Sequence, residues 1–578
     1  MHTGAHLARR LLLLLPLWGG SVLAAESGER GAAITDQLVL GTAERVTNVS
    51  SHDSQPRYWQ GSQWSSSQPL PEQLQTPLGS LWKLFVYSYL TATQAKEPPL
   101  RCEGKEREEV YCCDPGESID REQALIRSCG LYFAPKRLGI PPGAWQRYWQ
   151  GVQAPGWLYP LAQLNEARTV RVAELLQALA AIPPKIRQIA GNSLSEVLLQ
   201  GRGKGGVGEL GTLLRIKSFT MPLPTRATMG GGAGWSDNGT PLWFAGQGSS
   251  SQVITRLAPR LAARLQQEPA PNNQECVQVH FFARYPLQRI EQREEGQVES
   301  DQAVKPGPLL GHYRLTFAKG NQLEWQATGA TFWLEQASGQ PPTIWGRLNQ
   351  DEYVARVVDR EGEAQQRQAA RALAVAARSY LLQEASHQGS CLQLADSSRY
   401  QRVSPQPPSR LAQEAARATA GLALSDVAVR YHSQKSAPNR LSWQQAVAWQ
   451  QEGLDFVAIL ARAYPQSHLQ LAGSRSATAC QPLTSSQFWL QHNQSLWRKR
   501  LQQEPGFEPV TPRLCLLKQG RPYADKQQQR IYVRPSPNQE GRIALTHEYL
   551  HLAFAHHPSG EDETYIEQLA RSLVRGEE

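Results

Sequence analysis

Past its first two dozen residues, this 578-residue chain has no apolar run long enough to cross a bilayer, which takes about 20 consecutive apolar residues. Nor does it have a Lys-rich block. Its 60 Lys and Arg against 51 Asp and Glu leave +9, spread along the chain. That excludes the basic stripe of a nucleic-acid binder and leaves only a mild attraction to anionic polymers. The eight cysteines include no C-x-x-C pair, which argues against a cysteine-built metal knuckle. Four of them, Cys102, Cys112, Cys113 and Cys129, fall close together. In an oxidising compartment that implies one or two local disulfides, although the adjacent Cys112 and Cys113 do not readily bond each other.

The chain is too long for one domain, and its length suggests three or four. An apolar fraction of 40%, with 16 Trp and 18 Tyr, supplies several cores and argues against disorder. The first ten residues include His2, His6, Arg9 and Arg10, followed by Leu11 to Leu15, Pro16, Leu17 and Trp18, with small residues up to Ala24 and Ala25. This pattern is expected to be an export signal over 1–25, cleaved after Ala24 or Ala25. The mature protein would then be periplasmic or secreted, with no stable membrane span. Residues 26–75 form a polar lead-in.

The plainest chemistry is near the C-terminus, where His547-Glu548-Tyr549-Leu550-His551 reads H-E-x-x-H. Residues four apart share a helical face, so His547 and His551 can present two imidazoles to one Zn2+, and Glu548 is placed to hold and deprotonate the attacking water. A catalytic zinc needs a third protein ligand. After the turn at Pro558-Ser559-Gly560, a second helix offers Glu563 with Glu567 four residues on. The order resembles that of the gluzincin metallopeptidases, which implies Glu563 as ligand and Glu567 behind it. Glu567-Gln568-Leu569-Ala570 also resembles the E-G-L-A signature, in which the first glutamate is itself the ligand, so Glu567 is the alternative. His556 and His557 read as surface residues.

In the stretch 76–250, Gly79-Ser80-Leu81-Trp82-Lys83 opens an apolar helix. A serine three residues before a lysine places its hydroxyl near the amine one turn later, where a desolvated lysine acts as base. Ser128-Cys129-Gly130 precedes Leu131-Tyr132-Phe133, and Leu214 to Thr220 includes Lys217. The series resembles the penicillin-binding protein and serine β-lactamase superfamily. Ser80, Lys83, Ser128 and Lys217 fall on that family's acylation residues. Two departures put activity in doubt: Gly130 stands where the family has Asn, and Phe219 where a Gly lets substrate lie along the strand. A non-catalytic domain that binds stem peptides or is vestigial is the competing expectation.

In the stretch 251–470, a helix at 251–267 closes the domain before it. Alternation then marks strands at 277–282, 313–317 and 323–325. The run from Leu348 to Glu361 reads as strand-like, and Ala369 to Tyr380 as a helix by its alanine content. Tyr353, Val357, Val358 and Glu361, the Ala-rich helix, the segment Ala415 to Leu424 and Tyr431-His432-Ser433 together resemble the sporulation stage II protein D family of lytic transglycosylases. That resemblance places the general-acid glutamate on Glu361, where desolvation would raise its pKa. Gln434 to Asn439 replaces the family's cysteine-containing segment, so no metal is expected there. Residues 471–578 complete the chain with the H-E-x-x-H domain.

The fold class expected is therefore multidomain α+β: a β-lactamase-like α/β domain, a mixed α/β transglycosylase-like domain and a small, mainly helical zinc-peptidase-like domain. The combination resembles an uncharacterised secreted family of Gram-negative bacteria. It implies an exported protein acting on peptidoglycan through zinc-dependent peptidase activity, with glycan-strand cleavage at Glu361. Two other readings stand beside it: a peptidoglycan-binding scaffold with degenerate domains, and a periplasmic zinc protease that cuts proteins.

Overall fold

The computed structural model describes residues 35–576 except 42–54, 62–63, 200–203, 224–226, 272–274, 294–303, 338, 398–400, 433, 435–438, 466, 473–482, 518–521, 526–528 and 535–537. The expected export signal lies outside the described residues, as do Ser433 and 435–438. No helix among the described residues is long and apolar enough to cross a membrane.

The first domain is built on a six-stranded antiparallel sheet, in the order Gln68–Pro69, Arg57–Gln60, Gln37–Leu40, Pro241–Gln247, Thr228–Ser236, Leu214–Pro222. Part of the polar lead-in thus belongs to this sheet, with Gln37 paired to Ala245 across most of the domain. Helix Ser250–Leu265 buries Val253, Ile254, Leu257 and Leu261 against one face. The other face packs on helices Trp82–Thr93 and Pro184–Leu199, in a second core with Phe85, Trp149, Leu194 and Phe219. Cys102–Cys113 and Cys112–Cys129 are disulfides, so the crowded cysteines form two local bridges without joining neighbours.

A seven-stranded sheet organises the middle domain, in the order Leu287–Arg293, Gly307–Phe317, Gln322–Glu335, Thr343–Asn349, Cys276–Phe281, Cys391–Ala395, Ser386–Gln388. Its one parallel pairing, Cys276–Phe281 with Cys391–Ala395, carries the Cys276–Cys391 disulfide. Against it lie helices Gln350–Glu361 and Arg367–Glu384. The run ending at Glu361, expected to be strand-like, is therefore a helix. Asn349 caps it, accepting from Glu352 N at 2.8 Å, and buried Tyr353, Val354, Val357 and Val358 recur at helical spacing. Arg378, in the Ala-rich helix, is fully buried. Its guanidinium donates to Thr419 O at 2.6 Å and Ala416 O at 3.2 Å and pairs with Asp351 at 3.0 Å.

The C-terminal domain sets three helices against a small sheet. A three-stranded sheet, Arg513–Leu516, Arg530–Val533, Tyr523–Asp525, packs with helices Thr484–Leu501, Gln539–Ala553 and Glu563–Arg575. Leu490, Leu501, Leu514, Ile531, Leu550 and Ile566 share its core. Cys515 is disulfide-bonded as well.

Candidate functional site

Asn538 caps the helix Gln539–Ala553 by accepting from Gly541 N at 2.8 Å, and four residues of spacing stack His547 over His551 with their Nε2 atoms 3.0 Å apart. Asp562 caps the next helix through Thr564 N at 3.0 Å, which puts Glu563 in its first turn. The Glu563 carboxylate lies 3.3 Å from His547 Nε2 and 3.7 Å from His551 Nε2. One ligand atom from each of His547, His551 and Glu563 falls within 4.8 Å of the others. Two imidazole nitrogens and one carboxylate form a donor set that fits Zn2+.

The outer ring nitrogens are held as well. His547 Nδ1 meets Glu567 at 2.9 Å, and His551 Nδ1 meets Gly560 O at 2.8 Å. Glu567 in turn accepts from Arg571 Nε at 2.7 Å. Such outer partners fix the tautomer and ring plane of a ligating histidine. Burial would lower the His547 pKa, but the carboxylates of Glu563, Glu548 and Glu567 outweigh it and raise it. Burial pushes the Glu548 carboxyl up to about 7, with His547 working against it and Glu384 and Glu563 adding to it. Both histidines, Glu548, Glu563 and Glu567 open into one cavity of about 330 Å³.

In the first domain Ser80, Lys83 and Ser128 come together. Lys83, 8% exposed, has its Nζ 3.3 Å from both hydroxyls and donates to Ser128 O at 2.6 Å. Ser128 takes a left-handed conformation, φ 65°, just ahead of the disulfide-bonded Cys129. A Cβ on Gly130 would stand 3.7 Å from Lys83 Nζ, which is how near the missing Asn side chain would begin. Phe219 is 1% exposed and lies against Gly79. Gly79 has φ +47°, and a Cβ there would meet Phe219 Cβ at 2.9 Å. The phenyl ring therefore packs in the core against Gly79, next to Ser80. Lys217, two residues before Phe219 on the same face of its strand, is buried, with Nζ donating to Ser218 O at 3.3 Å.

In the middle domain Glu361 ends its helix, and its Oε1 accepts from Arg402 N at 2.6 Å. Burial raises its pKa, and the Arg402 N–H and guanidinium only partly offset this. Gln401 accepts from Tyr353 OH at 2.5 Å and donates to Tyr431 OH at 2.7 Å. Consecutive residues thus hold the glutamate and the tyrosine of the Y-H-S segment. Asp396 joins them, its pKa raised by burial, its carboxylate accepting from Val403 N at 3.0 Å. Sequence reasoning missed Asp396, Gln401 and Arg402, which no motif marks. It also missed Gln383, Glu384 and Arg430, which line the wall facing His547 and Glu548.

The profile of the DUF2300 predicted secreted proteins matches residues 104–224 and 439–559, and that of the stage II sporulation proteins matches residues 341–425. These matches mark a secreted, cell-wall-related protein. The uncharacterized protein YfaQ of Escherichia coli (strain K12) is 40% identical over 573 residues, covering 98% of this chain and 99% of that protein. The chain belongs to this family of predicted secreted proteins. Among solved structures it is similar to the transpeptidase domain of the FtsI4 D,D-transpeptidase from Legionella pneumophila (12% identity, 40% of this chain and 88% of that one, TM-score 0.27). It is also similar to a class D β-lactamase from Bacillus subtilis (12% identity, 41% and 94%, TM-score 0.26).

Proposed function

We propose that the C-terminal cavity is the centre of a zinc-dependent peptidase, carried by a secreted protein whose substrate is the peptide part of peptidoglycan. The observation that supports this reading is the convergence of His547 Nε2, His551 Nε2 and the Glu563 carboxylate beside a buried Glu548 in one cavity. His547, His551 and Glu563 would hold the ion, with Glu567 and Gly560 O orienting the two rings. When bound, Zn2+ supplies Lewis acidity toward the scissile carbonyl and acidifies water. Glu548, buried in the same cavity beside the ligands, is placed to accept the proton of the attacking water and return it to the leaving amine. The Glu548→Gln protein is expected to keep the metal and lose turnover, and full activity in that variant would refute the assignment. Proteins in place of stem peptides are the competing substrate, separated by assaying both.

A second reading concerns Glu361. Its raised pKa and the tyrosines around it suit a general acid for glycosidic cleavage. Anhydro-sugar ends released by wild type and absent in Glu361→Gln would support it. In the first domain, Phe219 against Gly79 favours a domain that binds stem peptides without acylating them. Labelling of Ser80 by a fluorescent penicillin, abolished in Ser80→Ala, would overturn that view. Loss of all three activities with retained peptidoglycan binding would leave the scaffold reading.

A further inference from the structure

The cavity that holds His547 and Glu548 is completed by the middle domain. Gln383 and Glu384 come from the last turn of helix Arg367–Glu384, and Arg430 directly precedes the strand Tyr431–His432. Arg430 is held in place from several sides. Gln383 donates to Val427 O at 3.0 Å and accepts from Val429 N at 2.9 Å, which pins the chain before it. The Arg430 carbonyl accepts from Tyr464 OH at 2.7 Å and Leu441 N at 3.1 Å. The guanidinium lies over the Tyr380 ring at 5.4 Å, and its Nη1 meets Val429 O and Glu384 Oε1, each at 2.9 Å. Both polar contacts fall on Nη1. The guanidinium also lines the cavity that His547 and Glu548 face.

We infer that Arg430 anchors a substrate carboxylate, so that the site cuts short peptides carrying a free carboxylate close to the scissile bond. This rests on the peptidase reading of His547, Glu548, His551 and Glu563. A planar guanidinium offers two parallel N–H donors that match a carboxylate, and one already stacked and braced loses little freedom on binding it. Arg430 is the guanidinium that lines the cavity, across from the carboxylates of Glu563 and Glu567, and is the group there whose fork matches a substrate carboxylate. At about 330 Å³ the cavity is at the small end of ligand pockets, the size for a terminal residue. The carboxylate could come from the peptide C-terminus or from an acidic side chain.

The test uses the full mature protein, zinc-loaded, in the Glu548→Gln background so that nothing is turned over. Binding is followed by calorimetry for three probes: acetylated tri-alanine with a free C-terminus, its C-terminal amide, and an amidated tripeptide with a central glutamate. Zinc content is measured separately on each sample. The free acid is expected to bind about tenfold or more tighter than the amide, the size of a charge-assisted pair. Arg430→Ala should erase that ratio, Arg430→Lys should keep part of it, and Glu384→Gln should enlarge it by removing the competing carboxylate. Preference for the central glutamate would assign the anchor to a side-chain carboxylate. An acid-to-amide ratio unchanged in Arg430→Ala with full zinc content would overturn the inference. Absence of zinc from the parent protein would instead refute the peptidase reading, while the Arg430 ratio would still decide the anchor.

Discussion

Glu563 and Glu567 both touch His547, but from opposite edges of its ring, and that difference can be weighed. Glu563 reaches Nε2 at 3.3 Å and also approaches His551 Nε2 at 3.7 Å, whereas Glu567 meets only Nδ1 of His547, at 2.9 Å. Glu563→Ala removes one donor of three. Structural zinc sites bind with about 10 kcal/mol or more, so one donor is worth roughly 3 kcal/mol, on the order of a hundredfold in Kd. Glu567→Gln keeps an acceptor opposite Nδ1 and gives up only its charge, for a loss of about tenfold, the low end for outer partners. The assay is competition for zinc against a chromophoric chelator at fixed pH, with circular dichroism confirming the fold of each variant. A larger loss in Glu567→Gln than in Glu563→Ala would make Glu567 the ligand and refute the geometry argued here.

Burial holds the Glu361 pKa above its ordinary value, so the folded state binds more protons than the unfolded one between that value and the raised one. Stability should therefore fall as pH rises through this window, and glycan cleavage should be lost above it; chemical denaturation at several pH values, with Glu361→Gln lacking the dependence, checks this. Arg378 is wholly buried and ties Asp351 to the carbonyls of Ala416 and Thr419, so Arg378→Met should cost about 3–5 kcal/mol and lower Tm by several degrees. Phe219→Gly should open space beside Gly79 and Ser80 and increase labelling of Ser80 by a fluorescent penicillin. The same change should lower stability by about 3–5 kcal/mol, since Phe219 is core, and unchanged labelling in a folded variant would show that the ring does not block the groove.

What could be read from the sequence was what depends on local spacing. His547 and His551 four apart, Ser80 and Lys83 three apart, and the Ala-rich helix around Arg378 each declare a shared helical face. The run ending at Glu361 misled because Val354, Val357 and Val358 carry the β-branched composition of a strand, while their burial follows a helix. The strand Gln37–Leu40 was hidden in polar surroundings because its partner, Pro241–Gln247, lies two hundred residues on. The second wall of the C-terminal cavity was hidden for the same reason. Glu384 and Arg430 belong to the middle domain, and only tertiary packing brings them opposite Glu548. Gln401 holds Tyr431 through its amide and Arg402 holds Glu361 through its backbone N–H, contacts that no residue pattern announces.

The most direct test of the central claim is mass spectrometry of purified peptidoglycan after incubation with the mature, zinc-loaded protein, beside Glu548→Gln and a chelator-treated sample. The account predicts shortened or opened stem peptides in the wild-type digest alone. Stem peptides left intact by a fully zinc-loaded wild type, or cut equally by Glu548→Gln, would contradict it.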